Sequence, residues 1–557
     1  MDAAAATPQS HRKVIIASSL GTVFEWYDFY LYGLLATIIS AQFFSGVNDT
    51  TAFILALGAF AAGFAVRPFG ALVFGRVGDL VGRKYTFLVT MGLMGLSTFA
   101  VGLLPSYASI GVAAPLLLVG LRLLQGLALG GEYGGAAIYV AEHAPEGRRG
   151  LYTSFIQTTA TLGLFAALLV VIGLRTWMGE EAFADWGWRV PFLLSAILLG
   201  VSLWIRMQLS ESPVYQAMKE EGETSKAPLS EAFGQWGNLK WVLVALLGAV
   251  AGQAVVWYTG QFYALFYLEK ILKVDGGTAN ILIAIALMIG TPFFVFFGWL
   301  SDRIGRKPII MSGLALAALL YFPLFGALTN AANPALAEAQ ARAPVVVSTA
   351  LDECSVQFDP ICKTAFDTNG CDIAKSALAK AGVPYTDDWL HDAPGLANVH
   401  VGERTVMVYP GSDLGELQAA LAEAGYPAEA DPAQIDKPLV VAILTALVLL
   451  VTMVYGPIAA LLVELFSARI RYTAMSLPYH IGNGWFGGFL PTIAFAMVAA
   501  TGDIYAGLWY PVGVAVLSLV VGLLFLPETF RRAVHHRTDN SSSSSGSGGP
   551  NNLPRSE

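Results

Sequence analysis

Five ionisable side chains stand inside apolar runs: Glu25, Asp28, Arg67, Arg122 and Glu132. At mid-depth in a bilayer each costs roughly 2.5–3.5 kcal/mol, so such groups face a cavity or a partner and are functional candidates by default. Glu25 and Asp28 are three apart and Tyr32 is four beyond Asp28, which puts all three on one helical stripe. Two carboxylates close together in a low-dielectric site do not both stay ionised cheaply, so one takes up a proton, as a proton-coupling group must. The other reading pairs one acid with Arg67 or Arg122 as a structural ion pair. Asp28 is the deeper of the two. A second stripe joins Arg122, Gln125 and Tyr133, with Glu132 at its edge. A guanidinium there either binds a substrate carboxylate bidentately or holds a carboxylate of the first helix until that acid is protonated. Both roles stay open for Arg122, and Arg67, beside Pro68, follows the same logic. Proton coupling is thus expected of Asp28, Glu25, Glu132 and Arg122.

The later part of the chain offers polar, mostly uncharged groups. Gln253, Trp257 and Gln261 recur every four residues, with Tyr258 and Tyr263 nearby, and Tyr455, His480 and Asn483 follow. Cations on one wall and amides and hydroxyls on the other suit a small polar anion. The expected substrate-binding set is Arg67, Arg122, Tyr32, Gln125, Tyr133, Gln157, Trp257, Gln261, Tyr263, Tyr455, His480 and Asn483. His480 is either a second protonation site or hydrogen-bonded structure. No nucleophile-base-orienter set, phosphate loop or metal-binding helix occurs, so neither an enzyme nor a cofactor beyond the proton gradient is expected.

The elements that hold these groups are membrane helices. The chain is 55% hydrophobic and 13% charged, against about 25% charged in soluble domains. Apolar stretches of about 20 residues, enough to cross a hydrocarbon core of about 30 Å, lie near 14–40, 51–74, 85–104, 111–140, 151–174, 189–208, 239–268, 279–300, 308–328, 438–462, 472–499 and 504–526. The first has no small-residue cleavage site and reads as a retained helix. Of 32 Lys and Arg residues, 20 fall where an inside N-terminus puts the cytoplasm, so both termini are expected there.

The chain also repeats itself. Gly75, Asp79, Gly82, Arg83 and Lys84 recur as Gly298, Asp302, Gly305, Arg306 and Lys307 at an offset of 223, the mark of duplicated architecture. The motif falls in the cytoplasmic turns after helices 2 and 8. There Asp79 and Arg83 are expected to act as a gate latch with two discrete arrangements, where a plain tight turn is the alternative. Glu142 and Arg149 align with Glu464 and Arg471 at an offset of 322, so 99 residues are inserted between the copies. The polar stretch 330–437 accounts for them, with 16 acidic residues against 6 Lys or Arg. All three cysteines, Cys354, Cys362 and Cys371, lie in it. In an oxidising compartment two pair and one is left over. A metal site is disfavoured, since there is no CxxC and only His391 and His400 lie beyond. Residues 372–381 and 413–424 pattern as helices and 399–409 as a strand or hairpin.

Twelve helices in two halves with GxxxDxxGRK after helix 2 resemble the major facilitator superfamily. The run Gly21-Thr22-Val23-Phe24-Glu25-Trp26-Tyr27-Asp28-Phe29-Tyr30-Leu31-Tyr32-Gly33 resembles the opening signature of its metabolite:proton symporter family. Arg67-Pro68-Phe69-Gly70, Arg122-Leu123-Leu124-Gln125-Gly126, Gly130-Gly131-Glu132-Tyr133 and Trp188-Arg189-Val190-Pro191-Phe192 support it. The resemblance implies proton-driven import of small metabolites such as oxo- and hydroxy-carboxylates, shikimate-like acids, citrate or betaine-type zwitterions. A drug exporter of that superfamily would carry GxxxGPxxGG in helix 5, whereas residues 151–170 hold only Gly163 and no proline. A uniporter would not need Glu25 and Asp28 as titrating groups.

The expected protein is therefore an all-α membrane protein of two six-helix bundles with a small extracytoplasmic insertion. Its units are an N-terminal bundle 1–208, a cytoplasmic linker 209–238, helices 7–9 over 239–329, the insertion 330–437, helices 10–12 over 438–530 and a disordered tail 531–557. Its partners are a small, anionic substrate and the lipid bilayer, with no nucleic acid, and it acts as a monomer in the inner membrane.

Overall fold

The computed structural model describes residues 8–45, 49–207, 211–350, 354–355, 369–389 and 396–532. Cys362, His391 and the tail from 533 onward lie outside them, as do the side chains of Arg12, Lys13 and Arg206. The long helices are α1 Pro8–Leu34, α2 Asp49–Leu80, α3 Arg83–Leu103, α4 Ala113–His143, α5 Arg149–Met178, α6 Arg189–Met207, α7 Trp236–Ile271, α8 Gly276–Ile304, α9 Arg306–Ala332, α10 Lys437–Leu465, α11 Arg471–Thr501 and α12 Trp509–Phe525. Among the described residues, nine helices are long and apolar enough to cross a membrane, ten if the bent pair Glu180–Gly187 and Arg189–Ile205 is one span.

Glycine sets the closest helix approach. A Cβ at Gly126 or Gly130 of α4 would overlap the backbone of α2 at Gly63 and Arg67. Small residues at such crossings replace the hydrophobic drive that lipid cannot supply. The two copies of the repeated motif make the same turn, Gly82 before α3 with φ 138° and Gly305 before α9 with φ 109°, a region that favours glycine.

Regular periodicity fails in α7. Its 3.6-residue winding is interrupted by π-turns at Leu246–Val250, Thr259–Tyr263 and Tyr267–Ile271, and α11 has another at Gly482–Gly487. A π-turn adds a residue and shifts every later side chain around the axis. Gln253, Trp257 and Gln261 therefore do not form the single stripe that four-residue spacing predicts.

The segment between α9 and α10 is an α/β unit. Strands β1 Val345–Thr349, β2 Tyr385–Trp389, β3 Ala397–Val401 and β4 Arg404–Val408 form one sheet in the order β2-β1-β3-β4. β3 and β4 are an antiparallel hairpin turned at Gly402, φ 58°. β1 runs parallel to β2, which requires a crossover, supplied by the helix Gly370–Ala381. The parallel pair has no counterpart in the sequence expectation. Cys354 and Cys371 form a disulfide. The described fastenings of the unit are all to the second half: Tyr385 N to Gly502 O at 3.0 Å, Tyr385 Oη to Ala499 O at 2.9 Å, Ala430 N to Lys273 O at 2.9 Å and Asp436 N to Ala331 O at 2.9 Å.

Candidate functional site

Two small cavities lie side by side between the helices. Glu25 lines both. The first, about 20 Å³, is enclosed within the first half, where Asp28 and Glu132 join Glu25 beside Ser195 and Ser202. It has room for about one water. Asp28 is 6% and Glu132 1% exposed, and Asp28 Oδ1 has no hydrogen-bond partner among the described residues.

The second cavity, also about 20 Å³, lies between the halves. Arg67 enters from α2, Tyr133 from α4, Trp257 and Tyr258 from α7, Tyr455 from α10, and Tyr479, His480 and Asn483 from α11. Arg67 leans on the rings of Phe64 and Phe29, 4.5 and 5.7 Å from their centroids, and its Nε is unpartnered among the described residues. So are Trp257 Nε1 and both ring nitrogens of His480, which is 2% exposed. Unmet polar groups around one space are sites for a polar guest, because a buried group without a partner costs about 1–3 kcal/mol.

Several of the expected binding residues lie outside that space and are held by other protein groups. Arg122 donates to Gln125 Oε1 at 2.5 Å and sits over Tyr32 at 4.4 Å, while Gln125 donates to Thr98 Oγ1 at 2.8 Å. None of Arg122, Gln125 or Tyr32 lines either cavity. Gln157 donates to Tyr133 Oη at 2.8 Å and acts behind it. Gln261 is turned off the cavity, and Tyr263 packs with Tyr267, Phe325 and Phe495 in the second half. Asn483 and Gln253 exchange amide bonds at 3.3 Å. Sequence reasoning missed Tyr479, which stacks on Tyr133 at 3.7 Å and bonds Tyr455 Oη at 2.7 Å. Its Tyr-His dipeptide with His480 was the available signal.

Both exits are closed. On one side, rings from the two halves interlock: Trp26 with Trp257 at 5.4 Å, Tyr30 on Phe262 at 6.0 Å and Phe64 with Tyr258 at 6.2 Å. On the other, the repeated motif grips the opposite half. Asp79 pairs with Arg83 at 2.6 Å and accepts from Thr473 N at 2.8 Å and Tyr472 N at 3.3 Å, at the start of α11. Arg83 donates to Ala468 O at 2.8 Å. In the second copy Asp302 pairs with Arg306 at 2.8 Å and accepts from Gly150 N and Leu151 N, both at 2.8 Å, at the start of α5. A carboxylate at a helix N-terminus meets free N–H groups and the positive end of the dipole. Gly75 and Gly298 permit the approach, since a Cβ there would strike Thr473 and Ser154.

Further carboxylates brace these latches. Glu142 holds Arg471 at 2.6 Å and Ser212 Oγ, and Glu464 holds Arg306 at 2.9 Å. Glu211 accepts from Lys84 N at 3.1 Å, and Glu528 from Arg306 N and Lys307 N at 3.0 Å. Lys84 and Lys307 extend their ammonium groups to backbone carbonyls, Met207 O at 2.9 Å and Leu526 O at 2.8 Å. The two matched Glu/Arg turns had served only to locate the insertion.

The family described as "Sugar (and other) transporter" matches residues 13–235 and 419–538, and "MFS/sugar transport protein" matches 135–369. The alpha-ketoglutarate permease of Escherichia coli strain K12 is 38% identical over 322 residues, 58% of this chain and 72% of that protein. The proline/betaine transporter of Salmonella typhimurium strain LT2 is 38% identical over 316 residues, 55% of this chain but only 63% of that protein. Among solved structures, the major facilitator superfamily proton:xylose symporter XylE, bound to 6-bromo-6-deoxy-D-glucose, matches with a TM-score of 0.64 over 95% of this chain and 98% of its own. At 15% identity that likeness speaks for the fold alone.

Proposed function

Because the chain belongs to the sugar (and other) transporter family of the major facilitator superfamily, and is thus a multi-pass membrane transporter rather than an enzyme, we propose that it is a proton-coupled symporter importing a small carboxylate-bearing metabolite. The observation that carries the reading is the shared wall: Glu25 borders both the acid cavity of Asp28 and Glu132 and the cavity of Arg67 and His480. A proton held at Asp28 is then one side chain away from the guest. The substrate carboxylate meets Arg67, with Trp257 and His480 completing its hydrogen bonds. Arg122, tied to Gln125, positions α1 through Tyr32 rather than touching the substrate.

Both cavities are small and both exits closed, so the described state is read as occluded. Release needs the motif latches to open, which under the positive-inside reading happens on the cytoplasmic side. The working unit is read as a monomer in the inner membrane, driven by the proton gradient without another cofactor. One similar protein is named for alpha-ketoglutarate and another for proline and betaine, and the cavity favours a guest with a single carboxylate. It holds one guanidinium, while the carboxylate of Glu25 and the electron-rich rings of Trp257, Tyr258, Tyr455 and Tyr479 in its lining disfavour a second anion. A zwitterion is therefore the second reading.

The test is external pH in de-energised cells expressing the protein while carboxylates and zwitterions are added singly. Alkalinisation with one compound is expected, and Asp28→Asn should abolish it while keeping counterflow exchange. Equal loss of both would overturn the coupling role of Asp28, and a flat wild-type trace with the protein in the membrane would overturn proton symport.

A further inference from the structure

The face of α2 turned away from α4 ends in a concave apolar surface. Leu72, Val73, Val77, Leu80 and Val81 form its floor, and Leu229, from the short helix Pro228–Phe233, forms its wall, enclosing about 350 Å³ around Arg76. That short helix packs against α2, α11 and the start of α7, so the groove lies at the seam between the halves. Val73 and Val81 are 56% and 53% exposed. Arg76 is exposed and has no hydrogen-bond or ion-pair partner among the described residues.

Position decides what fills this groove. Arg76 is four residues before the last residue of α2, one turn or about 6 Å of rise from the helix end. A long cation so placed reaches the lipid phosphate level while its stem stays in hydrocarbon. Toward mid-membrane the floor is wholly aliphatic. Basic pockets of this kind between transmembrane helices select anionic headgroups. We infer that the groove holds one anionic phospholipid, its phosphate on Arg76 and an acyl chain against Leu72 and Val73. The site is independent of the transported substrate. Asp79, three residues after Arg76, grips the start of α11, so the lipid would rest on the helix that carries the latch.

The full-length protein in nanodiscs tests this, with Leu229→Trp as an added fluorophore and the wild-type signal subtracted. Brominated phosphatidylglycerol is expected to reach half-maximal quenching at a mole fraction at least threefold below that of brominated phosphatidylcholine. Adding Arg76→Gln should erase the difference while leaving quenching by both. A preference that survives Arg76→Gln, or equal quenching in its presence, would overturn the headgroup contact. Absence of quenching by either lipid would mean that protein, such as a second copy, covers the groove. Native mass spectrometry without the Trp substitution guards against a reporter artefact: phosphatidylglycerol adducts should persist on wild type and fall in Arg76→Gln, and equal adducts on both would overturn the proposal.

Discussion

Arg67 and Arg122 carry the same charge in opposite circumstances. Arg122 is tied to Gln125 and Tyr32 and lines neither cavity, whereas Arg67 leans on ring faces and lines the second cavity, with its Nε unpartnered among the described residues. Sequence could nominate both, because intramembrane cations are expensive, yet could not tell them apart, since helix rotation is invisible to spacing. Arg67→Lys keeps the charge but loses the planar fork. It is expected to raise the KM for uptake about tenfold, roughly 1.4 kcal/mol, with surface expression unchanged. Arg122→Lys should leave KM within about twofold and instead lower the yield of folded protein. His480→Ala tests the second donor of the site: a several-fold rise in KM with an unchanged proton-to-substrate ratio fits a binding role, and a changed ratio fits protonation.

The helix ends show what a motif can and cannot reveal. The repeated Gly, Asp and Gly-Arg-Lys were legible as matching turns, and the structure gives each Asp a helix N-terminus in the other half. Which termini they meet was not legible, because partners such as Asp79 and Thr473 are 394 residues apart. The π-turns of α7 made the expectation of Gln261 and Tyr263 at the binding site miss for a related reason: a constant period cannot register an added residue. Each charge-assisted bond lost from a latch is worth about 1.5–3 kcal/mol. Asp79→Asn and Asp302→Asn should therefore each shift the protein toward opening on that face. All native cysteines lie in the insertion, so a Ser476→Cys reporter, buried at 0% exposure, should be alkylated several-fold faster in either variant. An effect of Asp79→Asn alone would show that only one latch carries load.

At the scale of the whole molecule, composition and length told of a helical membrane protein, while the α/β unit was legible only in pieces. Its hairpin and two helices have local patterns, but β1 and β2 pair across an intervening helix, a contact that no short window contains. The disulfide Cys354–Cys371 spans 17 residues, a loop whose closure stabilises by roughly 3 kcal/mol. Cys371→Ser should lower the thermal unfolding of that unit while uptake stays within about twofold of wild type. Every described fastening of the unit is to the second half, and this bears on how the protein can be imaged. Two helical halves of similar outline are easily confused when noisy projections are aligned in a detergent belt. A folded mass attached to one of them alone breaks that likeness, and supplies a built-in fiducial for assigning particle orientation without an added antibody fragment.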